Sequence, residues 1–538
     1  MGNLRRSGWR SFWRAETGFF LLLWLGLLVT GRSGLFHDPG TFWHTVVGER
    51  LLSTHQLIYT DSYSFTFAGR PWIAHQWLGE CLMALVHRVD GFDSLLLATA
   101  TLLAGLYTWV AHRLLRAGLH WSLVGVLVLV TLAASSSHFH VRPHLATIIG
   151  VGITVAFLCD FEAGCLRLSQ LFWLVPVYLV WANIHGGMLG GLCTMILAAA
   201  GWALLAWLGR ENPLRTRSRF AALGLLIMAC GLVSFVNPYG WRLPWTWLSI
   251  MDSPLLPHII REHAPLDITK PYAWAVVLLG LIYLLALASA WPRWRISWLL
   301  PLVWLVLAWT RVRHTPLFAV AAAVSLADIL PHTHWVARLI RSGSDWFQLP
   351  AQDDAKARPS RWRPALVPVL AVLLALFLQL ERIAAPVVGH GWARLDPVQW
   401  PVALLPDLRR LEPGAIFNEY ADGGFLIYFT PGLRVFVDDR CELYGDAWLR
   451  DYVAAEAGDV ASHMQVWQAE YRKGHAVAFD YALTRAGSAF DDYFQTADGW
   501  RVRRRTEIAT LYQRIPTPCP KHSFATAKAA SEQSAPAN

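Results

Sequence analysis

Phe19-Phe20-Leu21-Leu22-Leu23-Trp24-Leu25-Gly26-Leu27-Leu28-Val29-Thr30 carries no charge, and the chain then passes through Gly31–Phe36 to His37-Asp38-Pro39. With its weakly polar flanks this run approaches the roughly 20 residues that cross a bilayer. Arg5, Arg6, Arg10 and Arg14 precede it, and no small-residue cleavage site follows. The pattern reads as an uncleaved signal anchor with a cytoplasmic N-terminus, which delivers Asp38 to the opposite face.

Comparable apolar stretches recur at Leu119–Ala134, Phe220–Phe235, Ala273–Ala290 and Pro364–Leu380. In a 538-residue chain, 55% hydrophobic and only 15% charged residues exclude an ordinary soluble protein. The net charge of +9 does not point to nucleic acid, because the arginines cluster beside apolar spans. That distribution is the one expected of topology signals, and many of the 29 tryptophans lie near span ends, where indole prefers the interface.

Alternating the sides predicts about eleven spans, near 17–36, 92–111, 119–135, 145–159, 170–184, 188–208, 220–236, 273–290, 296–310, 315–330 and 364–381. Arg113 and Arg116, the group Arg210–Arg219, Arg293 and Arg295, and the basic stretch 331–363 then fall on the cytoplasmic side. The 159–169 gap, with Asp160 and Glu162, runs against this trend. The outer loop 37–90 carries two amphipathic helices, Thr41–Leu52 and Ala74–Val86.

The expected organisation is an α-helical polytopic membrane domain over 1–384, an extracytoplasmic α/β domain over 385–515 and a disordered tail over 516–538. In the second domain Ala415–Phe417, Phe425–Phe429, Arg434–Val437, Ala476–Phe479 and Thr506–Tyr512 read as strands, with turns at Gly423-Gly424 and Pro431-Gly432. Trp448–Ala457 and Ala461–Lys473 read as helices. The seven cysteines have no metal-type spacing; Cys441 and Cys519 are the pair that an oxidising compartment would allow to bond.

The chemically capable residues concentrate in the outer gaps. Asp38 before Pro39 suits a helix cap, and equally a carboxylate held at the membrane surface as a base or metal ligand. Glu80, on an otherwise apolar helix, is the best second acid of its loop. Arg142-Pro143-His144, preceded by His138 and His140, suits an anion such as phosphate, because arginine stays charged and presents a planar fork of donors. The histidine spacings are compatible with zinc, but no cysteine or acid accompanies them, so no metal ligands are assigned.

Asn183 and His185 sit at a tight Gly186-Gly187 reversal facing the same side, while Asn237-Pro238-Tyr239-Gly240 reads as a turn. Glu262 lies in the polar triplet Arg261-Glu262-His263. Arg311 and Arg313, beside His314, fall outside against the positive-inside trend, which an anionic ligand would explain.

Together these segments resemble a known group. The marks are Asp38-Pro39 with Trp43-His44, Tyr59–Thr66 through Gly69-Arg70-Pro71-Trp72, Arg142-Pro143-His144, Trp181–Gly187, Asn237–Gly240, Phe417–Tyr420 with Gly423–Leu426, and Val437–Arg440. They resemble bacterial polytopic proteins related to the glycosyltransferase C (GT-C) superfamily.

The resemblance implies a polyprenyl-phosphate-linked sugar donor, a glycan, lipid or protein acceptor, and chemistry on the periplasmic face of the bacterial inner membrane. It also implies a reacting acid in the first outer loop, which here is Asp38. The family often has a second Asp two positions later, where this chain has Gly40. A two-carboxylate metal site is therefore not expected there, although a divalent cation (Mg or Mn) remains open as a cofactor.

On this reading Asp38 and Glu80 are the catalytic carboxyls, and Arg142, His144, Arg311 and Arg313 bind the donor phosphate. His44, His140, Asn183, His185 and Glu262 line the cavity. The alternative from another class is a non-catalytic GT-C-like transporter or assembly factor for surface polysaccharide, favoured by Gly40 and by the large extra domain.

Overall fold

The computed structural model describes residues 14–255, 261–348, 363–471 and 478–515. The N-terminal arginines before Arg14, Cys519 and the expected tail at 516–538 lie outside these residues.

Among the described residues, eight helices are long and apolar enough to cross a membrane: Ala15–Gly34, Phe92–Arg116, Trp121–His138, Leu145–Glu162, Met188–Trp207, Arg217–Phe235, Pro271–Ser289 and Val312–His332. Shorter apolar helices occupy Leu168–Ile184, Ile296–Thr310 and Ala365–Leu380. The eight and three match the eleven expected spans to within a few residues at most ends. Leu22, Leu129, Trp207, Leu285 and Leu374 stand exposed on the outside of this bundle. Lipid stabilises such a surface and water does not, so the chain is an integral membrane protein.

The gap that ran against the arginine trend has a local cause. Asp160 accepts two bonds from the Arg113 guanidinium, at 2.7 and 3.0 Å. Glu162 accepts the backbone N–H groups of Ile296 and Ser297 at 3.0 and 2.7 Å. These acids neutralise a neighbouring arginine and cap a helix start, so they say little about sidedness.

The two outer helices are Gly40–Thr54 and Trp77–Asp90. They pack together because Gly48 has no side chain; a Cβ there would overlap the carbonyl of Glu80.

The second domain holds a five-stranded sheet built from β1 (Gly414–Asn418), β2 (Leu433–Val435), β3 (Tyr481–Arg485), β4 (Trp500–Arg505) and β5 (Ala509–Arg514). The order is β2-β1-β3-β5-β4, with β1 parallel to β2 and β3, and the β3-β5-β4 side antiparallel.

One expected strand is corrected: Phe425–Phe429 belongs to a helix, Gly423–Phe429. A short apolar run reads the same way in a buried strand and a buried helix, and here the glycines decide. A Cβ on Gly423 would strike the backbone of Val437 and Asp438, and one on Gly424 the carbonyl of Pro39. These are close-packing glycines at a helix start rather than a hairpin turn. The strand expected at Ala476–Phe479 begins instead at Tyr481, with 476 and 477 outside the described residues.

The α/β domain is fastened to the outer loop. Phe65 N–H donates to the carbonyl of Val435 at 3.0 Å, and Val435 N–H donates to that of Tyr63 at 3.0 Å, so the loop adds a short parallel bridge to β2. Phe42, Trp400 and Phe425 form a fully buried aromatic joint. Beside the bridge, the Arg440 guanidinium is wholly buried and bonds Asp61 at 2.8 Å and Asp438 at 2.6 and 2.8 Å.

Removing one partner from a buried ion set strands the others. Arg440→Ala is expected to destabilise the docked domain by about 3–5 kcal/mol. A lowered Tm and faster protease cleavage in the 385–415 connection would register this; an unchanged Tm would contradict it.

Candidate active site

A cavity of about 1580 Å³ lies where the outer loop, the span ends and the α/β domain meet. The sequence places Asp38 directly after the first span and Arg142 directly after the third, and the fold brings them together. Arg142 Nη1 donates to Asp38 Oδ2 at 3.0 Å and to Glu262 Oε1 at 3.4 Å. The other Asp38 oxygen accepts the backbone N–H of Gly40 at 2.7 Å, so the turn before the helix fixes the carboxylate.

Glycine at position 40 also leaves space for the Asp38–Arg142 pair. A Cβ there would stand 2.7 Å from Asp38 Oδ1 and 2.8 Å from Arg142 Nε. A side chain at the position where the family often has a second acid would have to displace the Asp38 carboxylate and the Arg142 guanidinium.

Of the residues singled out in sequence, Asp38, His140, Arg142, His144, His185, Glu262, Arg311 and Arg313 all line this cavity. His44, Glu80 and Asn183 do not. Glu80 and His44 form a fully buried pair, Oε1 to Nδ1 at 2.9 Å, beneath the outer helices. Burial pushes the Glu80 carboxyl well above its usual range, with the nearby Glu442 adding to the shift, and burial holds His44 well below its own. Each shift favours the uncharged form of its group. Asn183 accepts from Trp77 Nε1 at 2.9 Å and donates to the carbonyls of Leu179 and Val236, joining an outer helix to two span ends. Asn237 closes its own turn as expected, donating to the carbonyls of Ser234 and Gly240.

The membrane side of the cavity is cationic but sparsely neutralised. Arg313 donates to His263 Nε2, and the Arg311 guanidinium makes no hydrogen bond among the described residues. Burial, then the charges of Arg313 and Arg311, depress His263 to about 3. His185 lies well below its ordinary value for the same two reasons, burial and the nearby Arg313 and Arg142. Its Nδ1 accepts from Gly187 N–H at 3.0 Å, which leaves Nε2 to carry the proton of the neutral ring. His144 is likewise held neutral by burial and by neighbouring His138 and Arg142. Arginines supply the fixed charge here, and the histidines supply neutral donors and acceptors.

Burial works against ionisation of Glu262, but Arg142 and Arg313 outweigh it and hold the carboxylate below its usual range.

Sequence reasoning missed the other wall. Asp439, Glu442, Glu419, Tyr420 and Arg485 of the α/β domain line the same cavity. Arg485 forks onto Asp422 at 2.6 and 2.9 Å, while Glu419 accepts from Ser488 Oγ at 2.5 Å and from the Arg485 backbone N–H at 2.7 Å. Burial lifts Glu419 to about 7. The one available signal was the charged run Asp438-Asp439-Arg440 directly after an apolar β-like segment.

As to a metal, one group among the described residues has the spacing to hold an ion: Asp90, Asp93 and His390, at the connection rather than the cavity. Its geometry is already used, since His390 pairs with Asp90 and Asp93 accepts the backbone N–H groups of Gly391 and Ala393. Neither the three-histidine cluster nor the Asp38 set has that spacing among the described residues.

No family model and no curated protein matches this chain. Among solved structures it is similar to the archaeal oligosaccharyltransferase AglB from Archaeoglobus fulgidus, in complex with an inhibitory peptide and a dolichol-phosphate (11% identity, TM-score 0.48, 84% of this chain and 66% of that chain). It is also similar to the Archaeoglobus fulgidus oligosaccharyltransferase tethered to an acceptor peptide (10%, 0.49, 87% and 69%). A third likeness is to ArnT from Cupriavidus metallidurans bound to undecaprenyl phosphate (14%, 0.48, 92% and 97%). The chain thus spans just under two thirds of the first of these proteins. With TM-scores below 0.5, these likenesses bear neither on residues nor on chemistry.

Two outcomes follow from the geometry. Gly40→Asp is expected to lower stability by about 1–3 kcal/mol through overpacking against Arg142 and Asp38, measured as a drop in Tm that Gly40→Ala shares in part. Glu419 titrates near 7 when folded, against about 4.3 when unfolded. Between those values the folded state binds more protons, so this group makes stability fall as pH rises. Glu419→Gln should flatten the fall in Tm between pH 5 and pH 7; an unchanged slope would exclude the assignment.

Proposed function

We propose that the protein is a GT-C-type membrane glycosyltransferase that moves a sugar from a polyprenyl-phosphate donor to an acceptor at the periplasmic face of a bacterial inner membrane. The observation that carries this reading is the pair Arg311 and Arg313 sharing one cavity with the Asp38–Arg142 pair. Two guanidinium groups with little neutralisation, at the ends of membrane spans, suit the phosphate of a lipid carrier.

In the reaction an acceptor hydroxyl attacks the anomeric carbon while the bond from that carbon to the phosphate oxygen breaks. The electron pair leaves on the phosphate, and inversion results. A phosphate leaving group needs cationic stabilisation rather than a strong acid, and preorganised charge in a water-poor site supplies it efficiently.

Arg142 is already matched by Asp38 and Glu262, so Arg311 and Arg313 are the better phosphate ligands, with His144 and His140 beside them. Asp38 belongs to the reacting centre, where it fixes Arg142. Glu80 and His44 support the outer helices from behind, and Asn183 and His185 hold the cavity wall. Asp38 and Glu262 suit a divalent cation poorly, because both are engaged by Arg142.

Replacing Arg311 and Arg313 together by Gln should weaken binding of undecaprenyl phosphate to the purified protein in nanodiscs at least tenfold, while Asp38→Asn should cost activity more than binding. Native mass spectrometry with that lipid measures the first. Wild-type protein that does not bind undecaprenyl phosphate would refute the lipid-phosphate reading and leave the transporter or assembly role.

A further inference from the structure

The second carboxylate of a displacement site, missing at position 40, has a counterpart across the cavity. In Asp438-Asp439-Arg440 the outer two residues pair with each other and with Asp61 in the buried docking set. Asp439, between them, lines the cavity instead. Its Oδ1 is buried without a hydrogen-bond partner among the described residues. An unsatisfied buried carboxylate oxygen is costly, and such groups persist in folded proteins chiefly where chemistry uses them.

Asp38 is less free to serve in the same way. Both its oxygens are engaged, one by Arg142 and one by Gly40 N–H. Glu262 is drawn onto the same guanidinium. A base needs an uncommitted lone pair, and of the three acids around Arg142 Asp439 is the one that the guanidinium does not hold by a hydrogen bond.

We propose that Asp439, supplied by the α/β domain, is the general base of the site: it takes the proton from the acceptor hydroxyl as that oxygen bonds to the anomeric carbon. The phosphate departs with the electron pair of the broken bond towards Arg311 and Arg313, and the protonated Asp439 returns its proton to water. The proposal rests on the glycosyltransferase reading and adds that the soluble-looking domain is part of the reacting centre. The environment agrees, since burial, opposed by Arg142 but reinforced by Asp38 and Asp438, raises the Asp439 carboxyl well above its usual value and makes it a stronger base.

The test uses full-length protein in nanodiscs containing polyprenyl-phosphate sugars and acceptors extracted from the host membranes, with release of undecaprenyl phosphate followed by mass spectrometry. Asp439→Asn should reduce turnover by about 10²–10⁴-fold while undecaprenyl phosphate binding and Tm stay at wild-type levels. Asp439→Glu should recover part of the turnover, which a merely structural position would not do. Turnover of Asp439→Asn within a few-fold of an active wild type overturns the base assignment and leaves the glycosyltransferase reading standing. Loss of lipid-phosphate binding by both variants would overturn it as well, by making Asp439 structural. A wild type that binds the lipid phosphate but releases none from any extract overturns both readings.

Discussion

The buried guanidinium of Arg440 holds one carboxylate from its own domain, Asp438, and one from the outer loop, Asp61. It also lies over the rings of Trp72 and Tyr63, at 4.7 and 5.2 Å. Such a set adds little net stability over an apolar equivalent, because desolvating three charges is expensive. Its effect is on geometry. Any other docking of the α/β domain would leave charges buried and unpaired, so the domain has one position on the loop. The Ser64–Val435 bridge and the Phe42–Trp400–Phe425 joint hold only in that position. The adjacent residue, Asp439, is therefore placed over the cavity.

The same constraint explains what could be read in the chain and what could not. Span positions were legible because a bilayer demands long uncharged runs, and no tertiary context overrides that demand. Half of the site was legible too, since Asp38, Arg142, Arg311 and Arg313 follow or begin spans and their exposure to one face is dictated by topology. Glu80 looked equally unusual in sequence, but its helix turns it towards His44 rather than the cavity. The Phe425–Phe429 run misled because apolar continuity alone does not separate helix from strand; the deciding contacts of Gly423 and Gly424 are with residues distant in the chain or across the fold. The charged run Asp438-Asp439-Arg440 did not single out Asp439, for the same reason. Its distinction from Asp438 is a matter of which side of one short segment faces the loop, and only the docked structure fixes that.

The cavity also divides its charges by origin. The membrane domain supplies Arg142, Arg311 and Arg313 with Asp38 and Glu262 paired to the first, while the α/β domain contributes Asp439, Glu442 and Glu419 with Arg485, itself forked onto Asp422. On the proposed glycosyltransferase reading, a lipid carrier would come from the bilayer with its phosphate towards the arginines, and an acceptor from the aqueous side would meet the carboxylates. Separating anion binding from proton acceptance in this way matters chemically. A base beside the phosphate site would be drawn into an ion pair, as Asp38 is by Arg142, and would lose the lone pair that makes it a base. The wall contributed by the other domain keeps that lone pair free, which is why a site with one acid in its first loop need not be short of carboxylates.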